Sequence, residues 1–258
     1  MKIELLVATM NNRIEHFQEI YKKNSELKVT LINQSKDSIQ IESDQFTVKS
    51  FQETGLSKSR NRALEQASGE VCVVCDDDVD FTVDFQTTIA KAYESLPDAD
   101  LISFQIITPK EGPYKSYRNR IFLHDKLSIL RVSSIEITFK RKSIEKHQLF
   151  FDERFGLGSQ IKGGEENIFL ADALRKGLKL YSYPAPIVIH PKESSNKTID
   201  SDFFFTKGAA MRRINGRQGL GLSLVFLMAQ FRKVKKIHKI PTYLSAFFRG
   251  YNFKFEHE

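Results

Sequence analysis

Apolar residues in this chain fall into short unbroken runs that alternate with longer stretches of helical spacing. Residues 2–9 form a run of strand length, and the polar turn Asn11-Asn12-Arg13 leads into a segment with Ile14, Phe17, Ile20 and Tyr21 on one helical face. Residues 27–33 and 46–51 predict two further strands. Gly55-Leu56-Ser57 then interrupts the pattern. Ser57 is placed to cap a helix over 58–67, which carries Ala63, Leu64 and Ala67 on one side and ends at Ser68-Gly69. Residues 71–75 are apolar throughout, and Asp76, Asp77 and Asp78 leave the carboxyl end of that expected strand.

Downstream, the pattern predicts a helix over 85–96 and a strand over 101–107. A long irregular stretch follows over 109–131, with Lys115, Tyr117, Arg118 and Arg120, and its length marks it as a functional loop. A strand over 135–139, a short helix over 142–147 and a glycine-rich loop over 155–164 come next. Glu165 and Glu166 open a helix reaching about residue 176, and two short strands at 180–183 and 187–189 lead to His190-Pro191. Alternating strands and helices predict an α/β fold with a mostly parallel central sheet flanked by helices. In such sheets ligands collect at the carboxyl edge of the strands, where the acidic triplet lies.

Beyond about residue 205 the character changes, so the chain divides into 1–205 and a helical extension over 206–258. The extension carries eleven Lys/Arg against two Glu, whereas 1–205 holds 28 basic and 30 acidic residues, so the net charge of +7 is C-terminal. Residues 219–231 are apolar but too few to cross a bilayer at 1.5 Å per residue. Basic positions 232, 233, 235, 236 and 239 follow, then an aromatic-rich stretch over 243–255. This is the composition of an interfacial segment on an anionic membrane surface. A helix packed on the domain with a solvated basic edge is the alternative.

Composition narrows the class further. At 258 residues with 41% hydrophobic and 28% charged content, the chain can bury an enzyme-sized core. Cys72 and Cys75 sit in one strand with alternating faces, which disfavours a disulfide, and no second Cys/His pair supports zinc. The N-terminus lacks the charged flank and long apolar core of a signal peptide, so the expected place is the cytoplasm, peripheral on the inner face of the plasma membrane. Three adjacent carboxylates repel one another unless a cation holds them, which points to Mg²⁺ or Mn²⁺ bridging to substrate phosphates; a solvated acidic turn is the alternative. His190 after a strand reads as structural or as a ligand. Glu165 and Glu166 at a helix start read as dipole-favoured residues, and Arg60 and Asn61 as helix-surface groups.

Three motifs in order decide among these. The run Glu53-Thr54-Gly55-Leu56-Ser57-Lys58-Ser59-Arg60-Asn61-Arg62-Ala63, then Ser68-Gly69-Glu70, then Asp76-Asp77-Asp78 resembles the family 2 glycosyltransferases of GT-A fold. Phe151-Asp152-Glu153-Arg154-Phe155, Gly164-Glu165-Glu166, Arg175 with Gly177, and His190 resemble that family's acceptor-side pattern, so the resemblance covers roughly residues 3–192. It implies inverting transfer of one hexosyl or N-acetylhexosaminyl unit from a nucleotide-sugar donor, a UDP-sugar, with Mn²⁺ or Mg²⁺. It places Asp78, Asp76 and His190 on the metal, and Glu166 or its neighbour Glu165 as base. Thr9, Asn11, Asn33, Gly55, Arg60, Asn61, Asp76 and Asp77 would bind the donor. Ala8 replaces the usual Pro, Asn33 an acidic residue, and Glu166 the usual Asp.

A glycan or polyprenyl-diphosphate-linked acceptor in bacterial surface-polysaccharide synthesis suits the basic extension, Arg212 and Arg213 included; a soluble glycan or protein acceptor is the alternative. A nucleic-acid-binding module would leave the acidic triplet unexplained, so no nucleic-acid partner is expected. A chain without Trp cannot carry the Gln-x-x-Arg-Trp motif of processive synthases.

Overall fold

A computed structural model of the chain describes residues 1–23, 27–110, 112–191, 199–232, 234 and 237–255. The chain opens with β1 (Ile3–Met10), α1 (Glu15–Lys23), β2 (Lys28–Gln34), β3 (Gln40–Ile41), β4 (Phe46–Phe51), α2 (Leu56–Gln66) and β5 (Val71–Asp76). There follow β6 (Asp80–Phe81), α3 (Phe85–Ser95), β7 (Leu101–Thr108), β8 (Gly112–Pro113), β9 (Phe122–Leu123), β10 (Ile137–Lys140), α4 (Arg141–Lys146), α5 (Glu165–Arg175) and β11 (Leu180–Ile189). Three helices close the described chain: α6 (Ser201–Asn215), α7 (Leu220–Phe231) and α8 (Ile240–Tyr251).

The strands form one sheet in the order β3-β4-β2-β1-β5-β10-β7-β11-β6. β4, β2, β1 and β5 run parallel, β7 and β11 run parallel, and β10 lies antiparallel between β5 and β7. The chain leaves β1 toward β2 on one side and returns as β5 on the other, so strand order reverses at β1. That crevice is where an α/β sheet admits a ligand. Register places Ala8 opposite Asp76 and Thr9 opposite Asn33 at its carboxyl edge.

Side chains alternate across the strands and feed two cores. Leu5, Val7, Val71, Val73 and Cys75 pack toward Phe17 of α1 and Phe85, Ile89 and Tyr93 of α3. Leu6, Cys72 and Val74 belong to the opposite core with Ala63, Ile144, Phe169, Phe204 and Phe247. The two cysteines are therefore on opposite faces, buried and unpaired. Burial pushes both thiols far up, which leaves them as inert packing groups.

The structure corrects several expected boundaries. α2 begins one residue before Ser57, with Gly55 in the capping position at φ 131°; the Ser57 hydroxyl donates instead to the Phe155 carbonyl at 2.6 Å. The two strands expected at 180–183 and 187–189 are one strand, with register shifts around Pro186. Proline lacks the ladder donor, and the mismatch is absorbed as an irregularity rather than a break. α6 runs continuously across residue 205, and Phe204, Ala209, Phe247 and Tyr251 share one core with residues of α5, which leaves the expected division into 1–205 and 206–258 untested. Among the expected basic positions of the extension, Lys233, Lys235 and Lys236 lie outside the described residues. No helix among the described residues is long and apolar enough to cross a membrane.

The irregular stretch between β7 and β10 is tied down from within. Buried Glu136 pairs with Lys115 at 2.7 Å and accepts from the Tyr117 hydroxyl, which also receives the Ile106 amide. Lys115 and Tyr117 thus hold the loop, Arg118 stacks over Phe122, and Tyr114 and Ser133 to Ile135 of this stretch reach the ligand crevice.

Candidate active site

A cleft of about 390 Å³ opens at the carboxyl ends of β1 and β5. Its floor is Ala8, Thr9 and Asp76 to Asp78; one wall is Thr54 to Leu56 with Leu157 and Gly158; the other is Ser133 to Ile135, Tyr114 and His190. The first wall depends on two glycines. Gly158 has φ +78°, and a Cβ there would meet Thr54 Cγ2 at 2.8 Å, while Gly55 is clamped by the Gln34 amide, which donates to its carbonyl at 2.9 Å and accepts from its N–H at 3.2 Å.

Each aspartate of the triplet has a different setting. Asp76 accepts from buried Arg60 at 2.8 Å. Asp77 accepts from the Thr9 hydroxyl at 2.6 Å and pairs with Arg13 at 2.8 Å, so both groups at the end of β1 hold it. Asp78 is exposed and faces His190, with Oδ2 3.7 Å from Nε2. His190 Nδ1 donates to the Pro191 carbonyl at 2.8 Å, which orients the ring with Nε2 toward Asp78. An imidazole oriented in this way beside a carboxylate is a pair that could hold a hard divalent ion. Asp76, the third expected ligand, lines the same cleft with its Oδ1 bonded by Arg60, and no group of three such side chains forms a metal cluster among the described residues.

Arg60 links the cleft to α5. Its guanidinium, almost wholly buried, bonds Asp76 on one side and Glu165 Oε1 at 3.0 Å on the other. Glu165 Oε2 is buried without a partner. Neither Glu165 nor Glu166 lines the cleft; the loop through Gly156 stands between, and a Cβ on Gly156 would lie 3.5 Å from the Glu165 carboxyl carbon. Burial, and then the charge of Glu165, pushes the Glu166 carboxyl up to about 7, with Lys207 of α6 opposing the shift.

Of the expected donor contacts, Thr9, Gly55, Asp76 and Asp77 line the cleft, and Arg60 supports it from behind. Asn61 does not face it: its amide exchanges hydrogen bonds with the Phe151 backbone and donates to Glu153, joining α2 to the 151–155 segment. Asn33 donates to Asn12 and Ser50 and accepts the Asn12 N–H, so it braces the turn after β1. Asn11 is exposed in the left-handed region at φ 56°, which asparagine tolerates. Arg13, Gln34, Tyr114 and Ser134 are cleft residues that periodicity did not single out. Arg13 alone had a visible signal, as a cation beside the nucleotide-side turn.

The family model described as glycosyl transferase family 2 matches residues 30–160, half of the chain. The chain belongs to that family. Among solved structures, S. aureus TarS 1-349 in complex with UDP aligns with this glycosyltransferase at a TM-score of 0.65 and 16% identity, over 97% of this chain and 81% of that one. The TarS 1-349 complex with UDP-GlcNAc gives 0.63 at 16%, with the same coverage. Mannosyltransferase PcManGT from Pyrobaculum calidifontis, in complex with GDP-Man and Mn²⁺, gives 0.55 at 14%, over 98% of this chain and 76% of that one. The glycosyltransferase spans about half of TarS as solved at greater length, 49%. What these low identities share is the fold. Curated protein sequences gave no match.

Proposed function

We propose that this glycosyltransferase moves one sugar, with inversion, from a nucleoside-diphosphate sugar to a hydroxyl of a glycan or lipid-linked acceptor. The observation that carries the reading is the Asp78–His190 pair beside Asp77 and Asp76 at the β1/β5 crevice. The nucleoside diphosphate lies in the 390 Å³ cleft, with Asp76 and Asp77 toward the ribose and sugar. UDP is the first donor to test, since the TarS fragment was solved with UDP and UDP-GlcNAc; GDP-Man in PcManGT keeps the base open. A Mn²⁺ or Mg²⁺ ion held by Asp78 and His190 would stabilise charge on the departing diphosphate.

Glu166, behind the Gly156 loop and outside the donor cleft itself, would take the proton of an acceptor entering from the α5 side as the acceptor oxygen bonds the anomeric carbon and the bond from that carbon to the diphosphate oxygen breaks. Its raised carboxyl suits a base working near neutrality, whereas Glu165 is engaged by Arg60 and acts as a positioning residue. The acceptor approaches from the α5 side, past Gly156 to Gly158. Exposed Leu220, Leu224, Val225 and Met228 form one stripe of α7 between exposed Arg217 and Arg232, which supports a peripheral position on an anionic membrane and an acceptor in surface-polysaccharide synthesis.

Calorimetric titration of UDP with Mn²⁺ and with EDTA, on wild type, Asp78→Ala and His190→Ala, tests the donor site. Mn²⁺ should tighten binding to wild type and lose that effect in both variants. Equal binding with EDTA throughout would remove the metal from the reading.

A further inference from the structure

A second cavity, of about 460 Å³, lies between the carboxyl end of α6 and residues 252–255, away from the donor cleft. Arg154, Arg212, Arg213, Arg217 and Lys254 bring five cations to its wall, with Phe253 and Phe255 beside them. Two carboxylates answer only part of that charge. Arg213 bonds Asp152 at 2.7 Å and Asp172 at 3.0 Å, and Arg154 bonds Asp152 at 2.8 Å. Arg213 is thus a structural strut rather than a free anion contact. Arg212 lies over the Tyr251 ring, and neither it nor exposed Arg217 and Lys254 has an ion-pair partner among the described residues.

Helix-dipole complementarity accounts for Arg212 and Arg213 in the last turn of α6. It does not account for Arg217 past the helix end or Lys254 from the terminal segment, which converge on the same cavity. Unpaired like charges around one concavity repel each other and concentrate an anion. Guanidinium forks match phosphate oxygens best. We propose that this cavity is a binding site for a phosphate or diphosphate group, held by Arg212, Arg217 and Lys254. Phe253 at the wall and the exposed stripe of α7, which begins three residues after Arg217, offer apolar contact to a bearer with a hydrocarbon chain. The same chemistry is carried by a lipid headgroup and by free pyrophosphate, and the site needs no assumption about the donor.

The test compares the wild-type chain with Arg217→Gln/Lys254→Gln, and with Arg232→Gln/Lys239→Gln, which removes two exposed cations outside the cavity. Probes are inorganic pyrophosphate, phosphatidylcholine vesicles with phosphatidylglycerol, and pure phosphatidylcholine vesicles. The cavity variant should bind pyrophosphate or the anionic vesicles at least about tenfold more weakly than the surface variant, beyond the loss that two generic surface charges explain. Loss on vesicles alone identifies a lipid headgroup, and loss on pyrophosphate shows that the phosphate group suffices. Arg217→Gln alone should move the same way by less. Thermal melting and UDP binding should match wild type, which separates this site from the donor cleft. Equal affinities of the two double variants for every probe would overturn the proposal.

Discussion

Arg60 touches both halves of the site, and its removal exposes what it compensates. Arg60→Met would leave the Glu165 carboxylate buried without a partner, so unfolding free energy should fall by about 3–5 kcal/mol in urea titrations. Glu166 makes a different prediction, in pH. Its carboxyl is raised, and the proposed base must be ionised to accept a proton, so kcat/KM should rise with pH through about 7. The stability sign is opposite. The folded state keeps this proton above the ordinary carboxylate range, so the contribution of Glu166 to stability falls as pH rises from that range through about 7. Glu166→Gln should flatten that fall and reduce kcat by about 10²–10⁴-fold while UDP binding persists. A variant that kept wild-type turnover would transfer the role elsewhere. The aspartate triplet was legible because carboxylates leaving a buried strand demand an explanation, whereas His190 was legible only through the family resemblance; both line the cleft. Their division of labour was not: Arg60 on Asp76, and Thr9 with Arg13 on Asp77, are partners from distant chain segments that no local pattern contains.

Two helices of the extension are fastened by glycines. A Cβ on Gly208 would lie 2.0 Å from the Phe247 carbonyl oxygen, and one on Gly250 1.9 Å from that of Phe205, so α6 and α8 cross with backbones in contact. Gly208→Ala or Gly250→Ala must force the helices apart, at about 1–3 kcal/mol or more and a drop in Tm of roughly 2–12 °C. Gly221→Ala in α7, where nothing lies within 4 Å, should keep Tm or raise it slightly. On α7 itself, Val225→Asp with Met228→Asp alters side chains that touch water, so the melting curve should hold while binding to phosphatidylglycerol vesicles falls. Unchanged vesicle binding would leave α7 without a membrane role. Element types followed from periodicity because burial on one face imposes it. Misplaced details had tertiary causes: Ser57 gave its hydroxyl to Phe155 instead of capping, and β11 ran through its prolines because β7 supplies a neighbour along its length.

At the scale of the molecule, topology makes the site. Strand order reverses at β1, antiparallel β10 brings Ser133 and Ser134 to the edge where Asp76 ends, and β11 delivers His190 opposite Asp78. The α/β class and the carboxyl-edge placement were readable from alternating runs. The antiparallel insertion and the continuity of α6 across residue 205 were not, since both depend on contacts between segments far apart in the chain. The measurement that bears most directly on the account is release of nucleoside diphosphate from UDP-, GDP- and dTDP-sugars, with Mn²⁺, Mg²⁺ or EDTA, by wild type and Asp78→Ala. The account predicts metal-dependent turnover of one donor, abolished by EDTA and by the substitution. Turnover that survives both would contradict the metal site at Asp78 and His190, and no turnover of any donor under any metal would contradict the donor cleft itself.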